Sequence, residues 1–100
     1  MKKTFAQLKR DLQVGKKIKC LINNCRDNFE KEEREILRKQ TNAITLKTLR
    51  NGEYIESWLY FPNQADLVEY EDNVFSFYEK PNRWNDNKRT LLYTYEIIGG

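Results

Sequence analysis

The chain has 100 residues, of which 39% are hydrophobic and 33% charged, and its formal net charge is +3. This length corresponds to one domain, and the apolar content excludes an intrinsically disordered chain. There is no apolar run of about 20 residues and no signal peptide, so we expect a cytoplasmic protein without a membrane partner.

The first predicted element is a short amphipathic helix over residues 4–13. Thr4 and Gln7 have the spacing of a capping box at its start. Its apolar side chains recur at helical spacing and form one stripe: Phe5, Leu8 and Leu12. Gly15 follows and ends the helix, so we expect the apolar stripe to dock on the rest of the domain.

The next segment, "KKIKCLIN", alternates and predicts a first strand with a basic outer face. We expect Ile18, Cys20 and Ile22 to point into the core. Cys25 is assigned to a turn. The chain has no other cysteine and no histidine, so the sequence predicts neither a metal site nor a cofactor.

Residues 28–40 allow two interpretations. As a helix, the segment has an Asn28 cap, early acids and late bases, which suit the helix dipole. As a strand, "REILRKQ" leads through "TN" into "AITLKTLR" and forms a hairpin. We favour a charged loop followed by a strand over residues 34–40.

"LRNGEY" is the clearest local signal, because Asn51-Gly52 accepts the positive φ angles of a type I′ turn. This turn pairs Arg50 with Glu53 and, further along, Ala43 with Tyr60. One face then carries Thr45, Lys47, Leu49, Tyr54, Trp58 and Tyr60, and the other carries Ile44, Leu46, Thr48, Ile55, Ser57 and Leu59. Both faces are largely apolar, so we expect each to be covered.

A second hairpin is predicted through Asp72-Asn73, followed by a basic loop at residues 80–89 and a final strand at residues 90–98. The bulky residues of this hairpin are Val68, Tyr70, Phe75 and Phe77. The fold class is therefore α+β, with the N-terminal helix packed on a strongly bent antiparallel sheet. Residues 17–79 are expected to form most of a closed or half-closed, SH3-like small β-barrel.

Catalysis has little support in this sequence. There is no histidine to serve as a base at neutral pH, no recognisable nucleophile setting and no glycine-rich phosphate loop. We therefore expect a protein that is not an enzyme and has no small-molecule substrate.

Basic segments with aromatic residues nearby favour nucleic acid as the partner. Residues 1–20 carry seven Lys or Arg and one Asp, and residues 80–89 carry four and one. Cations would neutralise phosphates while Trp84 stacks on a base. The expected contact residues are Lys16, Lys17, Lys19, Arg83, Trp84, Lys88 and Arg89. Tyr54, Trp58 and Tyr60 are a second candidate platform for stacking of bases.

Residues 53–79 carry seven acids and no base, which supports a different partner. A strand with carboxylates and tyrosines can imitate a phosphate backbone and inhibit a nucleic-acid enzyme. The contact residues would be Glu56, Asp66, Glu69, Tyr70 and Glu71. A third interpretation is a structural or assembly protein that associates with itself through an exposed strand edge.

The string "SWLYFPNQADLVEYEDNVFSFYE", the preceding "QTNAITL" and the opening "MKKTFAQLKRDLQVG" resemble a loose group of small proteins from phages and other mobile elements of Gram-positive bacteria. The resemblance covers residues 1–79. It implies an accessory gene, a class that often encodes nucleic-acid binders or inhibitors of host defence. An anti-CRISPR-like role is one such expectation.

Overall fold

Seven antiparallel strands and one short α-helix make up the part of the chain that the structure, a computed structural model, describes: residues 2–24 and 33–98. The elements in chain order are α1 (Phe5–Asp11), β1 (Lys17–Asn23), β2 (Glu33–Lys39), β3 (Ala43–Arg50), β4 (Glu53–Tyr60), β5 (Val68–Glu71), β6 (Val74–Glu79) and β7 (Thr90–Ile98). Single 3-10 turns lie at Ala65–Leu67 and Arg83–Asn85.

The strands form one sheet in the order β4-β3-β2-β1-β7-β6-β5. β4 and β5 are its two edges and do not pair with each other, so the sheet is not closed. The sequence prediction is therefore confirmed as a mostly β, antiparallel fold with one helix. A closed, SH3-like barrel is not what the strand pairing shows.

The sheet bends around its core, because the segment that connects its two edge strands is too short to span a flat sheet. A flat sheet would separate β4 from β5 by six strand spacings, about 29 Å. Residues 61–67 link the two edges, and part of this link is a 3-10 turn, so it reaches less far than extended chain. The Phe61 ring, next to β4, contacts Phe77 on β6 with 6.0 Å between ring centroids.

The helix confirms the N-terminal prediction, with slightly shorter bounds. The Thr4 side chain accepts a hydrogen bond from the Gln7 N–H at 3.1 Å and caps the first turn. Leu8 and Leu12 are fully buried, and Phe5 packs edge-on against Phe61. No helix in the described ranges is long and apolar enough to cross a membrane.

The core lies between α1 and the concave face of the sheet. It contains the inward side chains of all seven strands, chiefly Ile18, Cys20, Ile36, Ile44, Leu46, Leu59, Tyr70, Phe75, Phe77, Tyr95 and Ile97. The rings of Phe75 and Tyr95 stack with 5.4 Å between centroids, so neighbouring strands are joined by aromatic contact as well as by the backbone.

Both predicted hairpins are confirmed. β3 and β4 pair in the expected register, from Arg50 opposite Glu53 to Ala43 opposite Tyr60. The turn residues have positive φ angles, 52° and 80° at Asn51-Gly52 and 51° and 65° at Asp72-Asn73. The strand interpretation is also correct for residues 33–39, whereas residues 28–32 and Cys25 lie outside the described residues.

The prediction that Ile22 points into the core is wrong. The pairing of β1 with β7 shifts register between Cys20 and Ile22, which is a β-bulge. One extra residue moves the following side chains to the other face of the strand. Ile22 is consequently exposed, while Ile18 and Cys20 are fully buried as expected.

The prediction that both faces of the β3–β4 hairpin are covered is also wrong. The face with Ile44, Leu46 and Leu59 is buried in the core. On the opposite face Trp58 is 52% exposed and Tyr60 70% exposed, because α1 covers only the concave side of the sheet. Thr45 on this face is fully buried, but the aromatic side chains of β4 stay open to solvent.

Candidate functional site

The loop at residues 80–89, called the Trp84 loop below, joins β6 to β7 and is built around two asparagines. The Asn82 Oδ1 accepts hydrogen bonds from the N–H groups of Trp84 (2.8 Å) and Asn85 (3.2 Å). In return, the Asn85 Oδ1 accepts from the Asn82 N–H at 2.8 Å. These reciprocal bonds form a capping box on the 3-10 turn Arg83–Asn85.

The rest of the loop is fixed by its own polar groups. The Asn85 side-chain amide donates to the Lys80 carbonyl at 3.1 Å, and the Asn87 N–H donates to the Asn82 carbonyl at 2.7 Å. Asp86 and Asn87 adopt positive φ angles of 58° and 57°, which Asn and Asp tolerate better than most residues. Hydrogen bonds within the Trp84 loop therefore define its shape, without a buried core of its own.

The sequence analysis treated these asparagines only as breakers of regular structure and missed their positioning role. The signal was present in the spacing Asn82-x-x-Asn85, because a capping box places its two side chains three residues apart.

This loop displays Trp84 to solvent. Its side chain is 85% exposed, the largest exposed fraction among the large apolar residues described. The Arg83 guanidinium lies 5.3 Å from the Trp84 ring centroid. Lys80, Arg83 and Lys88 are exposed and form no ion pair with any residue of ranges 2–24 and 33–98. A flat ring and three cations with accessible charge thus share one ordered loop.

Arg89, which was predicted to contact nucleic acid, forms its contacts within the protein instead. Its guanidinium donates to the Asp66 carbonyl at 2.9 and 3.1 Å, pairs with Glu69 at 3.4 Å and lies 3.6 Å from the centre of the Tyr78 ring. Burial and a hydrogen bond to Glu69 raise the pKa of Tyr78. Arg89 therefore fastens the end of the loop to the start of β5.

The N-terminal cations lie at the other end of β7. Lys17 is paired with Ile98, whereas the Trp84 loop joins β7 at Thr90. Eight residues of strand separate these positions, about 26 Å. Lys16 directly precedes Lys17 and lies at the same end. The structure does not bring the two basic segments into one site.

The two strand lysines also face acids. Lys17 lies directly opposite Glu35 on β2, and Lys19 lies opposite Glu33 on β2 and Glu96 on β7. Opposite charges in directly opposed positions attract each other, so these lysines are less available to phosphates than their number suggests.

One residue of the predicted acidic surface for a protein partner is not at the surface. Tyr70 is 2% exposed, so it belongs to the core. Its hydroxyl donates to the Asp11 Oδ2 at 2.6 Å, joining β5 to α1. This hydrogen bond lowers the pKa of Asp11, and burial together with the bond raises the pKa of Tyr70. Tyr70, which the sequence analysis placed among the residues that contact a protein partner, is therefore buried in the structure.

The remaining acidic residues are divided between the two edges of the sheet. Glu56 lies on β4, whereas Asp66, Glu69 and Glu71 lie on or just before β5, the opposite edge of the sheet. Glu56 forms an ion pair with Arg38 at 2.7 Å, which lowers the pKa of its carboxyl. The run of acids is continuous in sequence, but its members are divided between the two edge strands of the sheet.

Three aromatic residues on the convex side of β4 form a second exposed surface, called the β4 aromatic strip: Tyr54, Trp58 and Tyr60. The Lys47 ammonium lies 4.3 Å from the Tyr54 ring centroid. The neighbouring row, from β4 to β1, alternates in charge through Glu56, Lys47, Glu35 and Lys17. This surface carries rings without an excess of positive charge.

A buried arginine was also missed. Arg34 on β2 reaches past β1 and donates to the Tyr95 hydroxyl on β7 at 2.7 Å. Burial raises the pKa of Tyr95 to about 12, although the Arg34 charge acts in the opposite direction. The position of Arg34 two residues before the core residue Ile36 gave the signal, because alternate strand residues share a face. Arg34 ties strands together inside the core.

Within the described ranges, no three His, Cys, Asp or Glu side chains gather in a way that would hold a metal ion. Comparisons with protein-family models, with curated proteins and with solved structures find no match for this chain. The candidate site is therefore argued from its own geometry.

Proposed function

We propose that this protein acts by binding single-stranded nucleic acid, without catalysis, and that the Trp84 loop is its contact site. The observation that carries the proposal is Trp84 itself, 85% exposed on a loop held by reciprocal Asn82 and Asn85 hydrogen bonds. Trp84 contributes little to the packing of the core. The hydrogen-bonded loop beneath it holds its ring in solvent, where a ligand can stack on it.

The chemistry of the loop suits a flexible, anionic ligand with exposed bases. Stacking of a base on an aromatic side chain contributes about 1–3 kcal/mol and tolerates any sequence. Lys80, Arg83 and Lys88 supply cations for the phosphates on either side. Because the loop is ordered in advance, binding does not have to fix its conformation. Duplex DNA offers no unstacked base, so single strands are the preferred form.

The proposal uses a subset of the residues expected from sequence. Arg83, Trp84 and Lys88 remain, Lys80 joins them, and Arg89 positions the loop. Lys16, Lys17 and Lys19 form a separate group at the other end of β7 and have no primary role.

Fluorescence anisotropy of labelled single-stranded DNA, single-stranded RNA and duplex DNA tests this proposal. Trp84→Ala should weaken single-strand binding by about 10- to 100-fold, the loss of one stacking contact. Trp84→Phe, which keeps a ring, should retain most of the affinity. A background of Trp58→Phe assigns any quenching of tryptophan emission to Trp84.

Salt dependence supplies the second readout. Combined Arg83→Ala and Lys88→Ala should flatten the dependence of affinity on salt, whereas combined Lys16, Lys17 and Lys19 to Ala should leave it nearly unchanged. Absence of binding at low salt, or equal affinity of Trp84→Ala and wild type, would show that the Trp84 loop has a different function.

A further inference from the structure

The two edges of the sheet differ in how they are covered. β5 has four residues, and the N-terminal segment meets its free edge: Lys2 forms a bridge with Glu71, and the Lys3 N–H donates to the Tyr70 carbonyl at 2.8 Å. β4 has eight residues, and nothing in residues 2–24 and 33–98 pairs with its free edge. Among the described residues, β4 is therefore the edge of the sheet that is left open.

β4 also carries few of the features that keep edge strands from pairing, its charged residues being Glu53 and Glu56. Its sequence, "EYIESWLY", contains no lysine and no proline, and its pairing with β3 has no bulge. Natural proteins place such features on exposed edges, because a long regular edge is a template for another strand. Aromatic and β-branched residues further favour extended backbone here.

The direction of the free backbone groups follows from the hairpin. A two-residue turn makes Arg50 and Glu53 a hydrogen-bonded pair, and such pairs recur at every second residue. The Phe61 N–H, which donates to the Asn42 carbonyl at 2.8 Å, continues the alternation. The N–H and C=O groups that point to the free edge therefore belong to Tyr54, Glu56, Trp58 and Tyr60.

A second copy of β4 fits this edge in one antiparallel register. With Ser57 opposite Ser57 of the second copy, all four outward residues find partners, Tyr54 with Tyr60 and Glu56 with Trp58. About eight backbone hydrogen bonds result. On the concave side, Ile55, which is 39% exposed, lies opposite Leu59 of the second copy, whose side chain is buried in its own core.

The neighbouring registers are worse. A register centred on Glu56 places two glutamates directly opposite each other, which is unfavourable. A register centred on Trp58 places Pro62 opposite Tyr54, and proline has no N–H to donate. The Ser57 register avoids both problems, and the Arg38 ion pair at 2.7 Å compensates the charge of Glu56.

From this complementarity we infer that two copies of the chain associate through antiparallel pairing of β4 about Ser57, forming a two-fold dimer with one continuous sheet. The β4 aromatic strips of the two copies then join on the convex side. This inference goes beyond the proposed binding of nucleic acid and does not depend on the Trp84 loop.

Sedimentation equilibrium with paired substitutions at Trp58 tests the dimer. The wild-type mass should rise with concentration from 12.1 kDa towards twice that value. Trp58→Glu places a second carboxylate opposite Glu56 and should leave only monomer. Trp58→Lys removes the same ring but places an ammonium opposite Glu56, so it should retain more dimer than Trp58→Glu. Circular dichroism establishes that both variants are folded.

Cysteine cross-linking tests the register. In a background of Cys25→Ser, Ser57→Cys places two thiols in a non-hydrogen-bonded pair with Cα atoms about 4.5 Å apart, within disulfide range. Diamide should then oxidise the two thiols to one intermolecular disulfide. Ile55→Cys is the matched control, because it faces Leu59 of the second copy and should not cross-link with itself.

A mass that stays at 12.1 kDa up to millimolar concentration, with no cross-link at Ser57→Cys, would overturn the inference. Cross-linking of Ile55→Cys in preference to Ser57→Cys would overturn the register. Trp84→Ala should leave the mass unchanged, so failure of the dimer and failure of the nucleic-acid site are separate results.

Discussion

The two tryptophans of this protein are both exposed, but different forces hold the backbone beneath them. Trp84 lies on an irregular loop whose shape is fixed by the side chains of Asn82 and Asn85. Trp58 lies on β4, whose shape is fixed by backbone pairing with β3 and by burial of Leu59 on its other face. The loop is organised locally, whereas the strand depends on the whole core.

This difference shows that two exposed tryptophans in a small sheet protein can suit different kinds of partner. Trp84 projects from the protein with Arg83 beside it, on a loop held mainly by its own polar groups. Trp58 belongs to a flat surface beside unpaired backbone groups, where a second strand can add. The first arrangement suits a ligand that inserts or stacks, and the second suits a partner that continues the sheet.

The largest expected loss of stability comes from a substitution on the buried face of the β3–β4 hairpin, compared with one on its exposed face. Leu46→Ala removes a fully buried side chain of β3 and should lower the free energy of unfolding by about 3 kcal/mol, because a cavity forms in the core. Leu49→Ala, on the convex face of the same strand, should cost less than about 1 kcal/mol. Urea denaturation measures both, and equal losses would contradict the assignment of the faces.

An intermediate loss of stability is expected from the hydrogen bond between Tyr70 and Asp11, which lies outside both the Trp84 loop and the β3–β4 hairpin. Tyr70→Phe removes the hydrogen bond to Asp11 and should cost about 1.5 kcal/mol at pH 7, because the acceptor is charged. Urea denaturation at pH 7 measures this loss.

The same contact gives stability a dependence on pH. The lowered pKa of Asp11 contributes stability above the unfolded value of about 4, and this is lost as the pH falls through the folded value. The raised pKa of Tyr70 contributes stability below pH 10, and this is lost as the pH rises further. Tyr70→Phe should weaken the acid limb and abolish the alkaline contribution of Tyr70. Parallel curves for the two proteins would refute this account.

The smallest effect on stability is expected in the Trp84 loop. Asn82→Ala removes the cap of the 3-10 turn and should change the global free energy of unfolding by less than about 1 kcal/mol. Single-strand affinity should nevertheless fall nearly as far as in Trp84→Ala, because the ring is no longer held in place. Asn87→Gly, which keeps the capping box and accepts the positive φ angle at this position, is a control for loss of an asparagine. Full affinity in Asn82→Ala would show that the loop order is not needed for binding.

Local chemistry let the sequence determine the helix and both hairpins. Thr4 marks the start of α1, and the turn pairs Asn51-Gly52 and Asp72-Asn73 set the registers of β3–β4 and β5–β6. Turn type and length fix which residues oppose each other, so these pairings can be read from a few adjacent residues.

Only the tertiary structure decided which strands meet across long separations. The pairing of β1 with β7 buries Tyr95 beside Arg34 and places Lys17 far from Trp84. The bulge that turns Ile22 outward and the burial of Tyr70 against Asp11 also have no local signal. Sheet order depends on packing summed over the whole core, and alternation within a strand shows two faces without showing which one is covered.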